Sequence, residues 1–274
     1  MATARTVWKG SIQASILNIL IKIYPAINAS NAVHFNQLCP DCHGRIKQSI
    51  GCPTCNKALE RSEVLKGYPV TKDKFVILTE EEIDEAHKEK TEQINVISFV
   101  EANEIDPVFY EDTYYLTPEK AGQDLFQIFV ETLIETNKNA LGKIIMRSKE
   151  HLILLSPYTS LNVNFPPAPG VKILRGFSLH YIEDLRTTVD IPDSDYTQKP
   201  IDPEMLKLSK QLVTNLSGKF DPMKYKDEYR EIILKHVDAK AQGITIPVLP
   251  KKEVTQQVNL MDALKQAVQA TATA

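Results

Sequence analysis

Four cysteines are the residues whose type and spacing most clearly indicate chemistry. Cys39 and Cys42 form one CxxC pair, and Cys52 and Cys55 form a second pair after nine intervening residues. Each pair can present two thiolates from one tight turn, which is typical of a tetrahedral zinc site, and the short spacing favours zinc over two disulfides. Because four protein ligands leave no position for a water molecule, we predict a structural zinc site and not a catalytic one.

The rest of the sequence contains no pattern that indicates an enzyme. It has no GxxxxGK[ST] phosphate loop, no GxSxG nucleophile turn, no GxGxxG dinucleotide turn and no HExxH metal motif. The six histidines are scattered without ligand spacing, and most carboxylates fall within residues 76–136, where an exposed helix accounts for them. We therefore predict a protein that is not an enzyme. Spacing alone leaves open a metal-dependent nuclease site assembled from distant carboxylates.

Charge is segregated along the chain, although the net charge is only -3. Residues 1–75 carry 10 Lys or Arg against 4 Asp or Glu, and residues 76–136 carry 3 against 16. Individually, basic residues are usually solvated surface charges, but together they can line a surface that neutralises phosphates without reading bases. The candidate DNA-binding residues, drawn from 1–75 and from the basic segment 137–186, are Lys9, Lys22, Arg45, Lys47, Lys66, Arg147, Lys149 and Arg175.

Hydrophobic periodicity predicts the elements that position these residues. Alternating apolar residues and β-prone runs predict strands at 17–23, 74–78, 94–100, 113–117, 143–148, 151–156 and 171–182. Helical spacing and capping signals, among them a Thr79–Glu82 capping box, predict helices at 80–93, 123–135, 203–217, 221–242 and 258–268. The last helix either docks on the protein's own core or serves as a short motif that a partner binds.

The N-terminal apolar run and the proline-rich segments indicate where the protein is found and how the chain is divided into domains. The apolar run near the N-terminus is short and is interrupted by Lys22, so we predict neither a signal peptide nor a membrane helix. Paired cysteines without a secretory signal fit a reducing cytoplasm. After Arg186 the sequence becomes polar and rich in proline, which predicts a domain boundary, and the proline-dense stretch 162–170 predicts a loop or extended arm.

With these segments identified, the sequence resembles the bacterial Ku family, the DNA-end-binding factors of two-component non-homologous end joining. The resemblance extends over almost the whole chain in the same order. The segments that carry it are "VWKGSI" (7–12), "IKIY" (21–24), "GRI" (44–46), "CPTC" (52–55), "KGYPVTKDKFVILTEEEI" (66–83), "FVEANEIDPVFYEDTYYLTPEK" (99–120), "MRSKEHL" (146–152), "KFDPMKYKDEYREIIL" (219–234) and "VNLMDALKQAV" (258–268).

The resemblance implies a mixed α/β, predominantly β fold: a β-barrel core with extended arms that forms a ring-shaped homodimer around duplex DNA. It implies a bacterial, cytoplasmic, nucleoid-associated protein that binds DNA ends and recruits an ATP-dependent DNA ligase. The expected domains are a core at 1–186 with the zinc knuckle at 39–55, a helical region at 187–243, and a linker with a partner-binding helix at 244–274. The alternative function is a zinc-ribbon regulator that binds a specific DNA sequence.

Overall fold

The computed structural model describes residues 4–28, 32–72, 74–86, 92–146, 149–158, 172–194, 196, 200–244 and 260–272. The chain divides into two compact units. The first unit contains Met1–Thr159 and Pro167–Leu185, and the second contains Ser160–Pro166 and Arg186–Ala274. The predicted arm at 162–170 and the side chain of Arg147 lie outside the described residues.

Seven strands of the first unit form a closed barrel. In chain order they are β1 (Trp8–Ala14), β2 (Leu17–Pro25), β7 (Gln93–Val100), β8 (Tyr110–Pro118), β9 (Asn139–Met146), β10 (Lys149–Pro157) and β11 (Leu174–Leu179). Their order around the barrel is β1, β2, β8, β11, β10, β9 and β7. Neighbouring strands are antiparallel except β1 and β7, whose parallel pairing closes the barrel.

The barrel core follows from the alternation that predicts the strands. On β2, Ile19, Ile21 and Ile23 are completely or almost completely buried, while the residues between them face outward. Helix α2 (Gln123–Thr136) buries Phe126, Phe129, Val130 and Leu133 in the same core cluster. The prediction of a β-barrel core within a mixed α/β chain is therefore confirmed.

Two small sheets lie outside the barrel within the same unit. One joins β3 (Ile50–Gly51) to β4 (Ala58–Leu59), and the other joins β5 (Lys66–Thr71) to β6 (Lys74–Leu78). We call the β5–β6 pair the ribbon. All of its strand residues are exposed, and among the described residues its strands pair only with each other.

The acidic helix α1 (Glu80–Ala86) follows the ribbon. Its predicted capping box is confirmed, because the N–H of Glu82 donates to Thr79 Oγ1 at 3.1 Å and the N–H of Thr79 donates to Glu82 Oε2 at 2.8 Å. The predicted end of the helix at residue 93 is wrong: Gln93 begins β7, where it pairs with Ser11 of the barrel. Strand pairing there takes precedence over local helix preference.

The second unit contains three helices among its described residues: α3 (Pro203–Leu216), α4 (Glu228–Ala241) and α5 (Leu260–Ala272). Helix α5 packs against α3, and Asn215 Nδ2 donates to Thr271 Oγ1 at 3.3 Å between them. The stripe residues Met261, Leu264 and Val268 are half-buried. The terminal helix thus has an intramolecular neighbour within its own unit.

The predicted start of α4 at Asp221 is wrong. Asp221 caps only a short 3-10 turn, in which its side chain accepts from the N–H of Met223 at 3.1 Å. The backbone becomes extended at Tyr225 (φ -104°, ψ 118°), where the Tyr225 ring stacks on Phe220. The helix starts only after Asp227, whose carboxylate accepts from the N–H of Arg230 at 2.9 Å. An Asp-Pro pair therefore marks a turn here and not the helix itself.

Candidate nucleic-acid interface

The outer surface of the barrel carries the first predicted DNA contacts. Because Ile21 and Ile23 point into the core, Lys22 between them points outward. Lys9 on β1 pairs directly with Lys22 on β2, so the strand register places two lysines that are distant in sequence side by side. Lys9 is exposed, and Lys22 Nζ lies 3.6 Å from Glu119 Oε1. The barrel thus presents two adjacent ammonium groups, and that of Lys22 also forms an ion pair with Glu119.

A second outward row runs next to these lysines. Tyr24 on β2 pairs with Tyr115 on β8, and Tyr115 pairs with Arg175 on β11. The rows are two residues, or about 7 Å, apart along the strands. We call the surface formed by Lys9, Lys22, Tyr24, Tyr115 and Arg175 the basic–aromatic face. It brings together three of the predicted DNA-binding residues from three different strands, and β8 adds Tyr115 between them.

Arg175 is held firmly within this face. Its guanidinium lies 5.2 Å from the ring centroid of Tyr158 and 5.7 Å from that of Phe177. Its Nη2 donates to Ser156 Oγ and to the carbonyl of Pro157, both at 3.4 Å. Arg175 Nε is buried and has no hydrogen-bond partner among the described residues. These contacts hold the guanidinium plane of Arg175 in one orientation, so its charge is already positioned before a ligand binds.

Tyr115 and Tyr158 extend the aromatic part of the face. Their ring centroids are 5.7 Å apart with an interplanar angle of 55°. Burial raises the pKa of the Tyr115 phenol, and the neighbouring Tyr158 raises it further. The phenol stays protonated at neutral pH, so it adds no negative charge and retains an O–H that can donate to a phosphate oxygen.

The sequence predictions missed these aromatic residues. Tyr115 lies in a run that is predicted to be a strand and Tyr24 directly follows one, and their alternation with buried neighbours indicates an outward position. What the alternation cannot indicate is that β2, β8 and β11 are adjacent in the barrel. The aromatic cluster exists only through that non-local pairing.

Lys149 lies apart from the basic–aromatic face. It begins β10, where it pairs with Met146, and it has the same strand parity as the core residue Ile153. It borders a cavity of about 260 Å³ together with Glu111, Asp112 and His151. The other ionisable side chains in that cavity wall are thus two carboxylates and one imidazole.

The remaining predicted contacts lie outside the barrel. Lys66 begins the ribbon, and its Nζ lies 3.3 Å from Glu80 Oε1. Arg45 and Lys47 are both exposed between the two cysteine pairs, and Arg45 forms an isolated β-bridge with Leu38. The seven predicted residues within the described structure are therefore spread over the barrel, the ribbon and the segment 39–57 that contains both cysteine pairs, which we call the cysteine segment.

The two cysteine pairs fold into turns of the same design. The N–H of Cys39 donates to the carbonyl of Gly44, and the N–H of Cys52 donates to the carbonyl of Lys57, both at 2.9 Å. The residue after each pair adopts a left-handed conformation, with φ 54° at His43 and 52° at Asn56. Each of these hydrogen bonds joins residues five positions apart, so the two thiols of a pair lie on the same turn.

The first thiol of each pair, that of Cys39 or Cys52, accepts hydrogen bonds from backbone N–H groups of its own turn. The N–H groups of Cys42 and Asp41 lower the pKa of the Cys39 thiol, and those of Cys55 and Thr54 lower the pKa of the Cys52 thiol. Such donors favour the thiolate, which is the form that binds a metal. Within the described part of the chain, however, no group of three or more His, Cys, Asp or Glu side chains is close enough to hold a metal ion. The two turns are separate in this structure.

A hydrogen-bonded ion pair links the neighbouring strands β9 and β10 on the outside of the barrel. Lys143 Nζ donates to Glu150 Oε1 at 2.8 Å, and the Tyr181 hydroxyl donates to the same oxygen at 2.9 Å. These two donors lower the pKa of Glu150. Burial and the hydrogen bond to Glu150 raise the pKa of Tyr181 to about 12. The carboxylate thus neutralises Lys143, which is not among the predicted DNA contacts.

No helix in the described parts of the chain is long and apolar enough to cross a membrane. With the barrel and its outer face established, comparison with known proteins identifies the family. The model of the Ku70/Ku80 beta-barrel domain matches residues 13–208.

Relatives of comparable length share the similarity along almost the whole chain. A Non-homologous end joining protein Ku from Desulfitobacterium hafniense is 32% identical and covers 97% of this chain and 88% of its own. One from Heliobacterium modesticaldum is 32% identical and covers 97% and 91%, respectively. One from Archaeoglobus fulgidus is 30% identical and covers 97% and 99%. From the matched barrel domain and these relatives, we conclude that the chain belongs to the Ku family.

Proposed function

We propose that this protein binds the ends of double-stranded DNA without sequence preference, as a ring-shaped homodimer that acts in non-homologous end joining. The observation that carries the proposal is the basic–aromatic face on the barrel of a Ku family member. Lys9, Lys22 and Arg175 supply positive charge, and the Tyr115 hydroxyl supplies a neutral donor. Such groups bind phosphates, which are the same at every base pair. The described face offers no helix that could read a major groove.

The ribbon supports the homodimer. Tyr68, Val70, Phe75 and Ile77 are between 57% and 67% exposed on its two faces. An isolated two-stranded ribbon is marginally stable, and contiguous exposed apolar surface typically marks an interaction site. A second protomer would cover this surface, and a closed two-fold assembly would leave a channel that DNA enters only through an end.

The remaining predicted contacts, Arg45, Lys47, Lys66, Arg147 and Lys149, are proposed to line the same channel. Their positions on the ribbon, the cysteine segment and the β9–β10 connection would let separate elements contact one duplex from different sides. This distribution suits sequence-independent binding, because each phosphate contact positions the protein without selecting a base.

We propose in addition that Cys39, Cys42, Cys52 and Cys55 hold one structural zinc ion. The two turns offer matching thiol pairs with backbone donors that favour the thiolate. Binding would bring the two turns together and fold the segment between them, since metal binding and local folding are coupled in small sites.

The second unit is proposed to recruit an ATP-dependent DNA ligase. Helix α4 buries none of its residues within the described structure and exposes Tyr229, Ile232 and Val237. Exposed apolar side chains of this kind suit a protein partner. Tyr229→Ser should weaken capture of the purified ligase while leaving DNA binding unchanged; unchanged capture would contradict a role for α4.

End binding is tested by a band-shift assay with the purified protein. A linear duplex and a covalently closed circle of the same sequence are compared at equal concentration of base pairs. The proposal expects retention of the linear duplex only. Equal affinity for both forms would contradict entry through DNA ends, and a strong preference for one sequence among random competitors would favour a sequence-specific regulator.

A further inference from the structure

An apolar groove lies on the barrel beside helix α2. It has a volume of about 530 Å³ and is lined by Ala14, Leu17, Ile19, Phe99, Leu125, Ile128, Phe129, Thr132, Leu133, Thr136 and Lys138. We call it the α2 groove. Several of its apolar side chains are open to solvent, with Phe99 51% and Ile128 62% exposed. A monomer rarely leaves such a surface uncovered unless a partner binds there.

The α2 groove is flanked by an acidic cavity, which shares Ile128 and Thr132 with the groove and is lined by the acidic side chains of α2. Helix α2 carries Asp124, Glu131 and Glu135 and no basic residue. Glu131 forms an ion pair with Lys172, whereas Asp124 and Glu135 are exposed at opposite ends of the helix. The basic residue in the groove wall, Lys138, is paired with Glu101 at 3.0 Å. An occupant that combines apolar and basic residues would therefore complement the groove.

The ribbon has this combination. Its apolar side chains Tyr68, Val70, Phe75 and Ile77 are exposed. Residues 66–78 contain Lys66, Lys72 and Lys74 against a single acidic residue, Asp73. The ribbon is thus apolar along its length and basic at both ends, with Lys66 at its base and the other two lysines at its tip.

The spacing of charges on the two surfaces agrees. Asp124 and Glu135 are eleven residues apart on α2, which corresponds to about 16 Å at 1.5 Å per residue. Lys66 and Thr71, the partner of Lys74, are five residues apart on β5, which corresponds to about 16 Å at 3.3 Å per residue. A ribbon lying along α2 would span the distance between its acidic ends; the ribbon tip carries Lys72 and Lys74, while Lys66 at the base is paired with Glu80 of its own chain.

We propose that the ribbon of one protomer lies in the α2 groove of its partner; this rests on the homodimer in the proposed function. The ribbon is not in the groove of its own chain, because all its strand residues are exposed. Exchange of ribbons between two protomers is an isologous arrangement, since ribbon meets groove twice around one two-fold axis. It covers the exposed apolar side chains of the ribbon with the apolar wall of the α2 groove.

The test is a charge exchange followed by sedimentation equilibrium of the full chain without DNA. The ribbon variant Lys72→Glu/Lys74→Glu should raise the dimer Kd roughly tenfold, because each reversed charge occurs twice in the dimer. Glu135→Lys or Asp124→Lys, whichever end meets the ribbon tip, should raise it similarly. Combining the ribbon variant with that groove variant should return the Kd to within about threefold of the native value.

The matched control is Lys57→Glu, an exposed lysine of the cysteine segment, which should leave the Kd unchanged. Circular dichroism should be the same for every variant, because all the substituted side chains are exposed. The inference is overturned if neither groove variant rescues the ribbon variant, or if the dimer is insensitive to both surfaces, in which case another partner occupies the groove. A wild-type chain that stays monomeric would overturn the homodimer itself and this inference with it.

Discussion

Lys9 and Lys22 are separated by thirteen positions in the chain, yet they are direct partners across β1 and β2. Their proximity follows from the short turn at Ser15 and Ile16, where Ser15 adopts φ 57°. Two ammonium groups in this arrangement repel each other, and Glu119 relieves part of that repulsion at Lys22. A phosphate bound nearby would relieve the rest, which is a physical reason for anion binding at this position.

Replacing either lysine by glutamine should weaken binding of linear duplex for all sequences alike. Each Lys9→Gln or Lys22→Gln variant should reduce the slope of log K against log salt by about one, because one phosphate contact is lost. The measurement is a salt titration of affinity with two unrelated duplex sequences. Lys219→Gln in the second unit is the control, and an unchanged slope for both barrel variants would contradict their assignment.

Glu150 should confer a pH-dependent part of the stability. Hydrogen bonds from Lys143 and Tyr181 lower the pKa of this carboxyl, so its ionised form stabilises the fold above the pKa of an unfolded glutamate, about 4.3. The contribution disappears as the pH falls through the lower folded pKa. Because Glu150 is about half exposed, the effect at pH 7 is at most about 1 kcal/mol.

This prediction is checked by urea unfolding of the native chain and of Glu150→Gln. The free energy of unfolding should differ between them at neutral pH, and the difference should shrink in acid below the ordinary carboxyl range. Glu183→Gln, at an exposed site nearby, should show little difference at any pH. A Glu150→Gln difference that grows in acid would contradict the assigned sign.

At the scale of elements, local patterns were sufficient for α2 and for six of the seven barrel strands, but they did not predict β1. Alternation on β2 and the spacing of Phe126, Phe129 and Leu133 both reflect burial against one core. The patterns failed where a non-local contact decided the structure. Gln93 joined β7 because Ser11 pairs with it, and α4 began only after the turn containing stacked Phe220 and Tyr225.

The candidate site shows the same difference between what local sequence indicates and what non-local contacts decide. Charge and residue type nominated Lys9, Lys22 and Arg175 as candidate contacts, and strand pairing places them on one face. Neither property indicated that Arg175 would lie against the Tyr158 ring, because the register between β10 and β11 is set by non-local strand pairing. Aromatic neighbours of a cation become visible only when strand order is known.

Gly142 on β9 should be intolerant of a side chain. A Cβ at this position would lie 2.7 Å from the carbonyl oxygen of Asn95 on the neighbouring strand, and backbone there cannot move without disturbing the barrel. Gly142→Ala should lower the free energy of unfolding by about 1–3 kcal/mol in urea titrations. Gly218→Ala is the matched control, because a Cβ there has no atom within 4 Å, and equal costs for the two would contradict this packing argument.

The cysteine segment provides a metal-removal test. Freshly reduced protein should contain about one zinc ion per chain by elemental analysis. Cys39→Ser and Cys52→Ser should each abolish it, because each removes one of four thiolates. Both variants, and chelator treatment of the native chain, should increase amide exchange within 39–57 more than they reduce affinity for duplex ends. Reduced protein without bound metal would contradict the zinc proposal.

For the whole molecule, the fold explains why basic and acidic residues are segregated along the chain: they lie on different elements. The basic residues Lys9, Lys22 and Arg175 share one outer face of the barrel, while Glu80, Glu81 and Glu82 are exposed on the separate helix α1. A net charge of -3 therefore does not oppose DNA binding, because the local potential at the contact surface matters more than the sum. A ring would place that surface around the duplex.

Enclosure of DNA is the central claim, and topological trapping tests it most directly. Protein is loaded on a linear duplex, the ends are then joined by an added ligase, and the circle is washed in high salt that breaks phosphate contacts. The account predicts that protein remains on the circle after the wash and is released when a restriction enzyme reopens it. Equal loss of protein from closed and linear DNA in the same salt would contradict a ring around the duplex.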